Sequence, residues 1–333
     1  MTSSRTVLAA AVALVCAAAS AQASPAKSTA WKPPRTADGH PDLQGVWTNA
    51  TITPLERPDR FGDRLVITDA EARELEGAEA AYNAEADAPS DLSKPAAYTC
   101  RSGSGPTCGY NNFWIDRGSQ VVTINGERRS SLIVDPPNGK IPMKPERQKQ
   151  LAERMRTARQ NFDGPEARPL GERCLLAFGS SSGPPMMPVL YNNHYQIVQN
   201  RDSVMILVEM VHDARIIRLG GQPIPGRVRK WMGDSVGRWE GDTLVVETSG
   251  FTQSEGFRGA TPAMKVTERF TRVAPDKIEY RFTIDDPNAF TQPWSGEIAW
   301  HRTDDAVYEY ACHEGNYALP GILAGVRAEE RAR

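Results

Sequence analysis

The sequence predicts a mainly β protein, an up-and-down, calycin-like β-barrel with helical N-terminal decoration. From residue 195 to residue 314, short segments alternate apolar and polar residues, which is the period of a half-buried strand. Turn-forming residues separate these segments into hairpins. Eight or nine strands in sequence favour closure, because a closed barrel leaves no exposed strand edge.

Four hairpins are predicted in this meander. Their turns lie at residues 200–203, 241–242, 274–276 and 302–306. The last of them would join a strand at 296–301 to one at 307–310. Upstream, Gly45-Val46-Trp47 has the Gly-x-Trp form that opens the first strand of lipocalin-type barrels, which favours the calycin-like interpretation.

The N-terminal half is predicted to hold this first strand and two helices. Thr68 and Glu71 form a capping box that begins a helix ending near Asp87. A second helix is predicted from Pro145 to Phe162, where apolar residues recur at spacings of four, three and four. The predicted organisation is a leader at 1–23, an N-terminal segment at 24–190, the barrel at 191–320 and a C-terminal tail at 321–333.

The first 23 residues are typical of an export signal. They contain one arginine, an apolar run, and the small-residue ending Ala21-Gln22-Ala23. Val15 precedes Cys16 where a lipobox requires a small residue, so cleavage after Ala23 is favoured over lipid attachment. No second apolar run approaches the roughly 20 residues that cross a bilayer. We therefore expect a periplasmic or secreted protein without membrane insertion after cleavage.

The charge balance indicates a small-molecule partner. A net charge of −2 gives no electrostatic reason to bind nucleic acid or anionic lipid. No nucleotide or flavin motif occurs, so no cofactor is expected. The sequence does not indicate an oligomeric state.

Four cysteines follow the leader, and an even number in an oxidising compartment favours disulfides over metal ligation. Cys100 and Cys108 flank a loop of Gly, Ser and Pro that can bend back on itself, which predicts one pair. Cys174 would then pair with Cys312 and tie the central segment to the last strand. In the alternative, Cys174 and Cys312 are buried free thiols.

Five motifs together resemble a large family of exported bacterial proteins, most of which have no assigned function. They are DGHPDLQGVW at 38–47, ERCL at 172–175, YNNHYQIV at 191–198, HDARII at 212–217 and GDSVGRWEGDTL at 233–244. The resemblance runs from about residue 31 to residue 330. It implies export and the domain boundaries, and it implies no catalytic residue.

The first candidate catalytic cluster is His212 and Asp213, with Glu209 and Arg215 as substrate-binding residues. A histidine held by a carboxylate can act as a general base near neutral pH. On a straight strand His212 would face away from the other three, so their convergence requires a strand end or a bulge. The structural alternative is an Asp/Arg pair that braces the strand end.

The second cluster is His313 and Glu314, just after the last predicted strand, with Tyr317 as a substrate-binding residue. A disulfide at Cys312 would make this strand end rigid enough for acid/base work. Alternatively, His313 caps the barrel rim through backbone hydrogen bonds.

Three further residues are predicted to bind substrate, namely Tyr191, Asn193 and Trp239. Their alternatives are turn formation for the Asn pair and closure of a barrel end for the tryptophan. The loop 183–188, Gly-Pro-Pro-Met-Met-Pro, is predicted to be stiff and apolar; its methionines suit an irregular ligand surface or simple packing. No metal is expected, because neither His-x-x-x-His nor Cys-x-x-Cys spacing occurs.

The predicted function is cofactor-independent acid/base catalysis by a lyase. The substrate would be a small aromatic or phenylpropanoid-like molecule that loses, for example, water or formaldehyde. One side chain takes a proton, another gives one to the leaving group, and Arg215 holds the developing anion. The alternatives are a non-catalytic carrier of an apolar ligand, a hydrolase of a small ester or glycoside, and a structural protein of the cell envelope.

Overall fold

A computed structural model describes residues 31–87, 114–177, 183–225, 228–252 and 257–332. The predicted leader and the Cys100–Cys108 pair lie outside these residues. The fold described below belongs to the unit Lys32–Arg333. Within the described ranges, none of the helices is both long enough and apolar enough to span a membrane.

Thirteen strands are described. They are β1 Gly45–Thr48, β2 Val66–Ile67, β3 Thr123–Ile124, β4 Glu127–Arg129, β5 Ile133–Asp135, β6 His194–Gln199, β7 Ser203–Val208, β8 Ala214–Leu219, β9 Asp234–Glu240, β10 Thr243–Ser249, β11 Lys265–Ala274, β12 Lys277–Asp285 and β13 Trp294–Arg302. The α-helices of the described ranges are α1 Asp69–Ala86, α2 Pro145–Gln160 and α3 Ala318–Ala332.

Nine of these strands close into a barrel. Their order is β1-β6-β7-β8-β9-β10-β11-β12-β13, and β13 pairs back with β1. Neighbouring pairs around the barrel are antiparallel except β8 and β9, which run parallel. β5 pairs with the first part of β13, and β2, β4 and β3 form a small separate sheet. The predicted mainly β fold, a closed barrel of mostly antiparallel strands with helices in the N-terminal half, is confirmed, with this one parallel pair as a departure from a pure meander.

Three of the four predicted hairpins are present, and the fourth is wrong. β6–β7, β9–β10 and β11–β12 are joined by short turns as expected. Residues 307–310 are not a strand. The end of β13 pairs with β1 instead, through Thr48 opposite His301, so the barrel closes without a further strand.

Both predicted helices are present. Thr68 caps α1, because its hydroxyl accepts a hydrogen bond from Glu71 N at 3.2 Å and the Glu71 carboxylate accepts one from Thr68 N at 2.8 Å. α2 begins at Pro145, which suits a first helical position because it has no N–H to leave unpaired. α3 was not predicted; it includes most of the residues assigned to the C-terminal tail.

Alternate residues of the barrel strands point inward and form the core. The core is rich in aromatic rings, since Tyr195 stacks on Trp300 with ring centroids 4.5 Å apart and Phe270 lies 4.8 Å from Tyr280. Gly296 leaves room for Phe282, whose Cε1 would lie 2.7 Å from a Cβ at that position. A barrel of about eight strands is just wide enough to be filled by side chains or to hold one small ligand.

The predicted disulfide between Cys174 and Cys312 is present, with its Cα atoms 5.7 Å apart. It joins the segment between β5 and β6 to the segment after β13. The free-thiol alternative is therefore excluded for these two residues. Because the two cysteines are 138 positions apart, the bond closes a long loop of the chain.

Candidate functional site

A buried polar network crosses the barrel interior. Arg215 on β8 donates to both carboxylate oxygens of Glu268 on β11, one of them at 2.9 Å. The same guanidinium donates to Ser235 Oγ at 3.0 Å and to Thr248 Oγ1 at 2.8 Å. Tyr280 on β12 donates its hydroxyl proton to Glu268 at 2.8 Å. Five consecutive strands thus each place one polar side chain inward.

This network pairs two charged side chains, Arg215 and Glu268, that are buried away from water. The side chains of Arg215 and Glu268 are 2% and 0% exposed, so each would be strongly destabilising without the other. Burial, reinforced by the Glu268 carboxylate, raises the pKa of Tyr280 well above its usual value. Tyr280 therefore remains a neutral phenol that donates to Glu268.

The loop 183–188 is held against this network by its main chain. Met186 N donates to the Tyr280 hydroxyl at 2.9 Å, and Met186 O accepts from Asn49 Nδ2 at 3.1 Å. Met187 O accepts from the Tyr195 hydroxyl at 3.3 Å. Both methionines are buried and belong to the same core cluster as the aromatic rings. The loop is apolar as expected, but its methionines are not at the surface.

The expected convergence of His212 and His313 inside the barrel is wrong. His212 is exposed, and its Nδ1 lies 2.8 Å from the carbonyl oxygen of Tyr310. Residues 210–212 form a short 3-10 turn, in which Val211 and His212 have positive φ, so the strand ends before His212. His313 is exposed as well, because the chain leaves the barrel after β13. A catalytic role for either histidine stays a prediction, and it is not supported by a shared position inside the barrel.

The carboxylates predicted beside these histidines are not among the buried residues of the barrel. Asp213 is half-buried; burial raises the pKa of its carboxyl, and nearby His212 lowers it. Glu314 is exposed and lines a surface groove of about 630 Å³ with Tyr310, Asn316 and Leu319. The sequence prediction failed here because it treated residues 307–310 as a barrel strand.

The predicted substrate-binding residues are divided among several places. Arg215 lies inside the barrel, but its guanidinium is already paired with the Glu268 carboxylate. Asn193 is buried and uses its side chain for the loop, donating to the carbonyls of Asp116 and Val189. Tyr191 is half-buried against the core, and Tyr317 is 83% exposed. Trp239 stacks on His40 with ring centroids 5.2 Å apart.

Glu209 has a partner that the sequence prediction missed, the ring of His194. Glu209 is 2% exposed, and its Oε2 lies 2.9 Å from His194 Nδ1. Its Oε1 accepts a hydrogen bond from Tyr308 N at 3.0 Å. The hydrogen bond to Glu209 raises the pKa of His194, against the effect of burial. The expected histidine–carboxylate pair therefore exists, but at His194 instead of His212.

A sequence signal for the buried network was present at Glu268. It stands between Val266 and Phe270 at an inward position of a strongly alternating strand, where a charge needs a partner. No comparable signal identified Tyr280, since tyrosine is common among inward residues. Across the described ranges, no group of three or more His, Cys, Asp or Glu side chains could hold a metal ion.

The fold and the interior define a closed β-barrel with an aromatic core anchored by a buried ion pair. No family model matches the chain, and no curated protein matches it. One solved structure, an Asn-to-Ala mutant of the fluorescent protein UnaG, is similar with a TM-score of 0.22 and 16% identity. The overlap covers 34% of this chain and 72% of that chain. At this score the similarity carries no argument about function.

Proposed function

We propose that this protein binds a small, largely apolar molecule with an aromatic ring in the barrel, at the position of Met186 and Met187. It acts as a carrier and performs no reaction there. The observation that carries the proposal is the set of main-chain hydrogen bonds that hold this loop against Tyr280, Tyr195 and Asn49. A ligand with one donor, for the Tyr280 hydroxyl, and two acceptor positions, for the Asn49 amide and the Tyr195 hydroxyl, can replace all three bonds.

The surroundings of the two methionines have the composition of a ligand site. Such sites are mostly apolar and aromatic, with a few fixed polar groups that orient the ligand. Here Tyr195 and Trp300 supply stacked rings, and the Tyr280 hydroxyl and Asn49 amide supply the polar groups. Methionine side chains are flexible and polarizable, so they give way to a ligand at lower cost than branched residues would.

The interior supports binding better than elimination or hydrolysis. Three of the four predicted catalytic residues, His212, His313 and Glu314, are exposed, and Asp213 is only half-buried. Arg215 was expected to hold a developing anion, but Glu268 already neutralises it. A lyase acting on an aromatic molecule, or a hydrolase of a small ester or glycoside, would need acid/base groups that the barrel interior does not supply at Met186.

We further propose that the protein works in the periplasm or outside the cell. The leader-like first 23 residues support export. The Cys174–Cys312 disulfide supports an oxidising compartment, because reducing systems in the cytosol remove most structural disulfides. The test is fractionation of cells that express the full chain, together with the N-terminal residue of the purified product.

The binding proposal is tested by titrating the protein with the neutral aromatic probe phenylnaphthylamine and following its fluorescence. Met186→Trp fills the proposed position and should weaken saturable binding by about tenfold or more, which corresponds to about 1.4 kcal/mol. Met155→Trp is the matched control, because Met155 is 53% exposed on α2. Urea midpoints of both variants establish that they fold.

Tyr280→Phe is the second variant, because it removes the hydroxyl that meets the loop and keeps the ring. Since this change weakens the hold on the loop, it should change probe affinity by severalfold while the control variant does not. Equal affinity in the wild-type protein, Met186→Trp and Tyr280→Phe, or no saturable binding at all, contradicts the proposal.

A further inference from the structure

A second cluster of titratable groups lies on the outer face of the barrel wall. His194 on β6 and His301 on β13 are both directly opposite Thr48 on β1, which lies between them in the sheet. Residues directly opposite each other across strands point to the same face. The three side chains therefore stand in one row. Neighbouring strands are about 4.8 Å apart, so the two histidine Cα atoms are about 10 Å apart.

These residues line a cleft of about 220 Å³ between the barrel wall and the segment 116–122. The cleft is bordered by hydroxyl, amide and carboxylate side chains, namely Thr48, Thr51, Ser119, Gln120, Asp116 and Asp305. Its size suits a molecule of a few carbon atoms, and its polarity suits several hydroxyl groups. An apolar ligand of the kind proposed for the barrel would leave these groups unpaired.

His194 is held in one orientation. Its Nδ1 meets the buried Glu209 carboxylate at 2.9 Å, and its Nε2 lies 3.8 Å from Asp305 Oδ2. A carboxylate on one ring nitrogen fixes the tautomer and favours the protonated ring. His194 can therefore present an N–H at Nε2 to the cleft. Glu209 is a positioning residue, since it is 2% exposed and acts through the imidazole.

His301 is in the opposite electrostatic situation. His301 is exposed along one side. Partial desolvation by its neighbours in the cleft lowers the pKa of His301, the Lys277 ammonium lowers it further, and Asp276 opposes both. For His194, Glu209 raises the pKa, burial lowers it, and Asp116 and Asp305 add to the increase. Two groups with pKa values pushed apart in one site suit the roles of acid and base.

We infer that His194 and His301 form an acid/base site for a small hydroxylated carbonyl compound, independent of ligand binding in the barrel. His301 takes a proton from the carbon next to the carbonyl group. That C–H electron pair forms a C=C bond, and the C–O bond to the next carbon's hydroxyl breaks. His194 gives its Nε2 proton to the departing oxygen, and water leaves. Exchange with solvent then returns both rings to their starting protonation states.

The test uses glyceraldehyde, a three-carbon probe with a hydroxyl in the required position, in D₂O. Wild-type protein should accelerate formation of the dehydrated product and, because its enol takes up a deuteron from solvent, deuterium incorporation at the carbon that lost the hydroxyl. His301→Gln and His194→Gln should each reduce these rates by about 10²-fold or more, as is usual for loss of a general acid or base. His40→Gln is the matched control outside the cleft.

Glu209→Gln separates positioning from a purely structural role. It should lower the rate and shift the descending side of the pH–rate profile to lower pH, because His194 would lose its proton more readily. His194→Gln leaves probe binding in the barrel unchanged, so failure of this inference is distinguishable from failure of the carrier proposal. No deuterium incorporation above buffer with the wild-type protein, or equal rates in wild type and both histidine variants, overturns the inference.

Discussion

Arg215→Met should destabilise the protein strongly, because it breaks a fully buried ion pair. The substitution removes the cation and four hydrogen bonds, to the two Glu268 oxygens, Ser235 and Thr248. Glu268 is 0% exposed and would keep only the Tyr280 hydroxyl among these donors. Removing one partner of a buried pair costs about 3–5 kcal/mol, so we expect a loss of that size in the free energy of unfolding.

The loss should depend on pH, and its sign follows from the charge left behind. In Arg215→Met the buried carboxylate of Glu268 has no counter-charge, and burial of a lone charge disfavours the ionised form in the folded state. The variant should therefore be less stable at about pH 8, where this carboxyl must ionise, than at about pH 5. Adding Glu268→Gln removes the charge at constant size and should recover most of the loss and abolish this pH dependence.

The assay is equilibrium unfolding in urea with the disulfide intact, for the wild type, the single variants and the double variant. A double-mutant cycle then gives the coupling between the two residues. A cost below about 1 kcal/mol for Arg215→Met would refute the reasoning, since a pair of that strength is typical of exposed charges. Additive effects of the two substitutions would refute it as well.

Three further predictions concern stability. Reducing the Cys174–Cys312 bond, or replacing both cysteines by serine, should lower the free energy of unfolding by about 2–5 kcal/mol, because the loop of 138 positions becomes unconstrained; an unchanged urea midpoint would contradict this. Burial alone would raise the pKa of Glu209, but hydrogen bonds from His194 and Tyr308 lower it overall, and the pKa of His194 is raised. The pair should therefore stabilise the folded protein most between pH 4.5 and pH 6.5, the unfolded pKa values of Glu and His. This stabilisation should fall as the pH rises through the folded pKa of His194 and as the pH falls through that of Glu209. If the difference in free energy of unfolding between the wild type and His194→Gln does not change with pH, the pairing is excluded. Gly296→Ala should cost about 1–3 kcal/mol through the clash with Phe282, whereas Gly241→Ala, where a Cβ would meet no neighbour within 4 Å, should cost only the strain of its positive φ.

The fold was predictable because its signals are local. The alternation of apolar residues along β11 and β12 and the turn between them define a hairpin without reference to the rest of the chain. The capping box at Thr68 and the proline at position 145 likewise mark helix starts from a few residues. The barrel class then follows from the number of such strands.

The candidate sites were not predictable to the same degree, because they depend on pairings between distant residues. His194 meets Glu209 only because β6 begins beside the point where β7 ends. His301 reaches the same cleft only because β13 pairs with β1, which are the last and the first barrel strands along the chain. The sequence showed which residue types carry chemistry, but nearest neighbours in sequence were the wrong partners for His212 and Arg215.

The most direct test of the carrier proposal is an NMR titration of the protein labelled at its methionine methyl groups. Single substitutions assign the signals of Met186, Met187 and the exposed Met155. Phenylnaphthylamine should shift the signals of Met186 and Met187 in a saturable way, with the affinity measured by fluorescence, and leave Met155 unchanged. Saturable binding that leaves both buried methionines unshifted would contradict a ligand position inside the barrel.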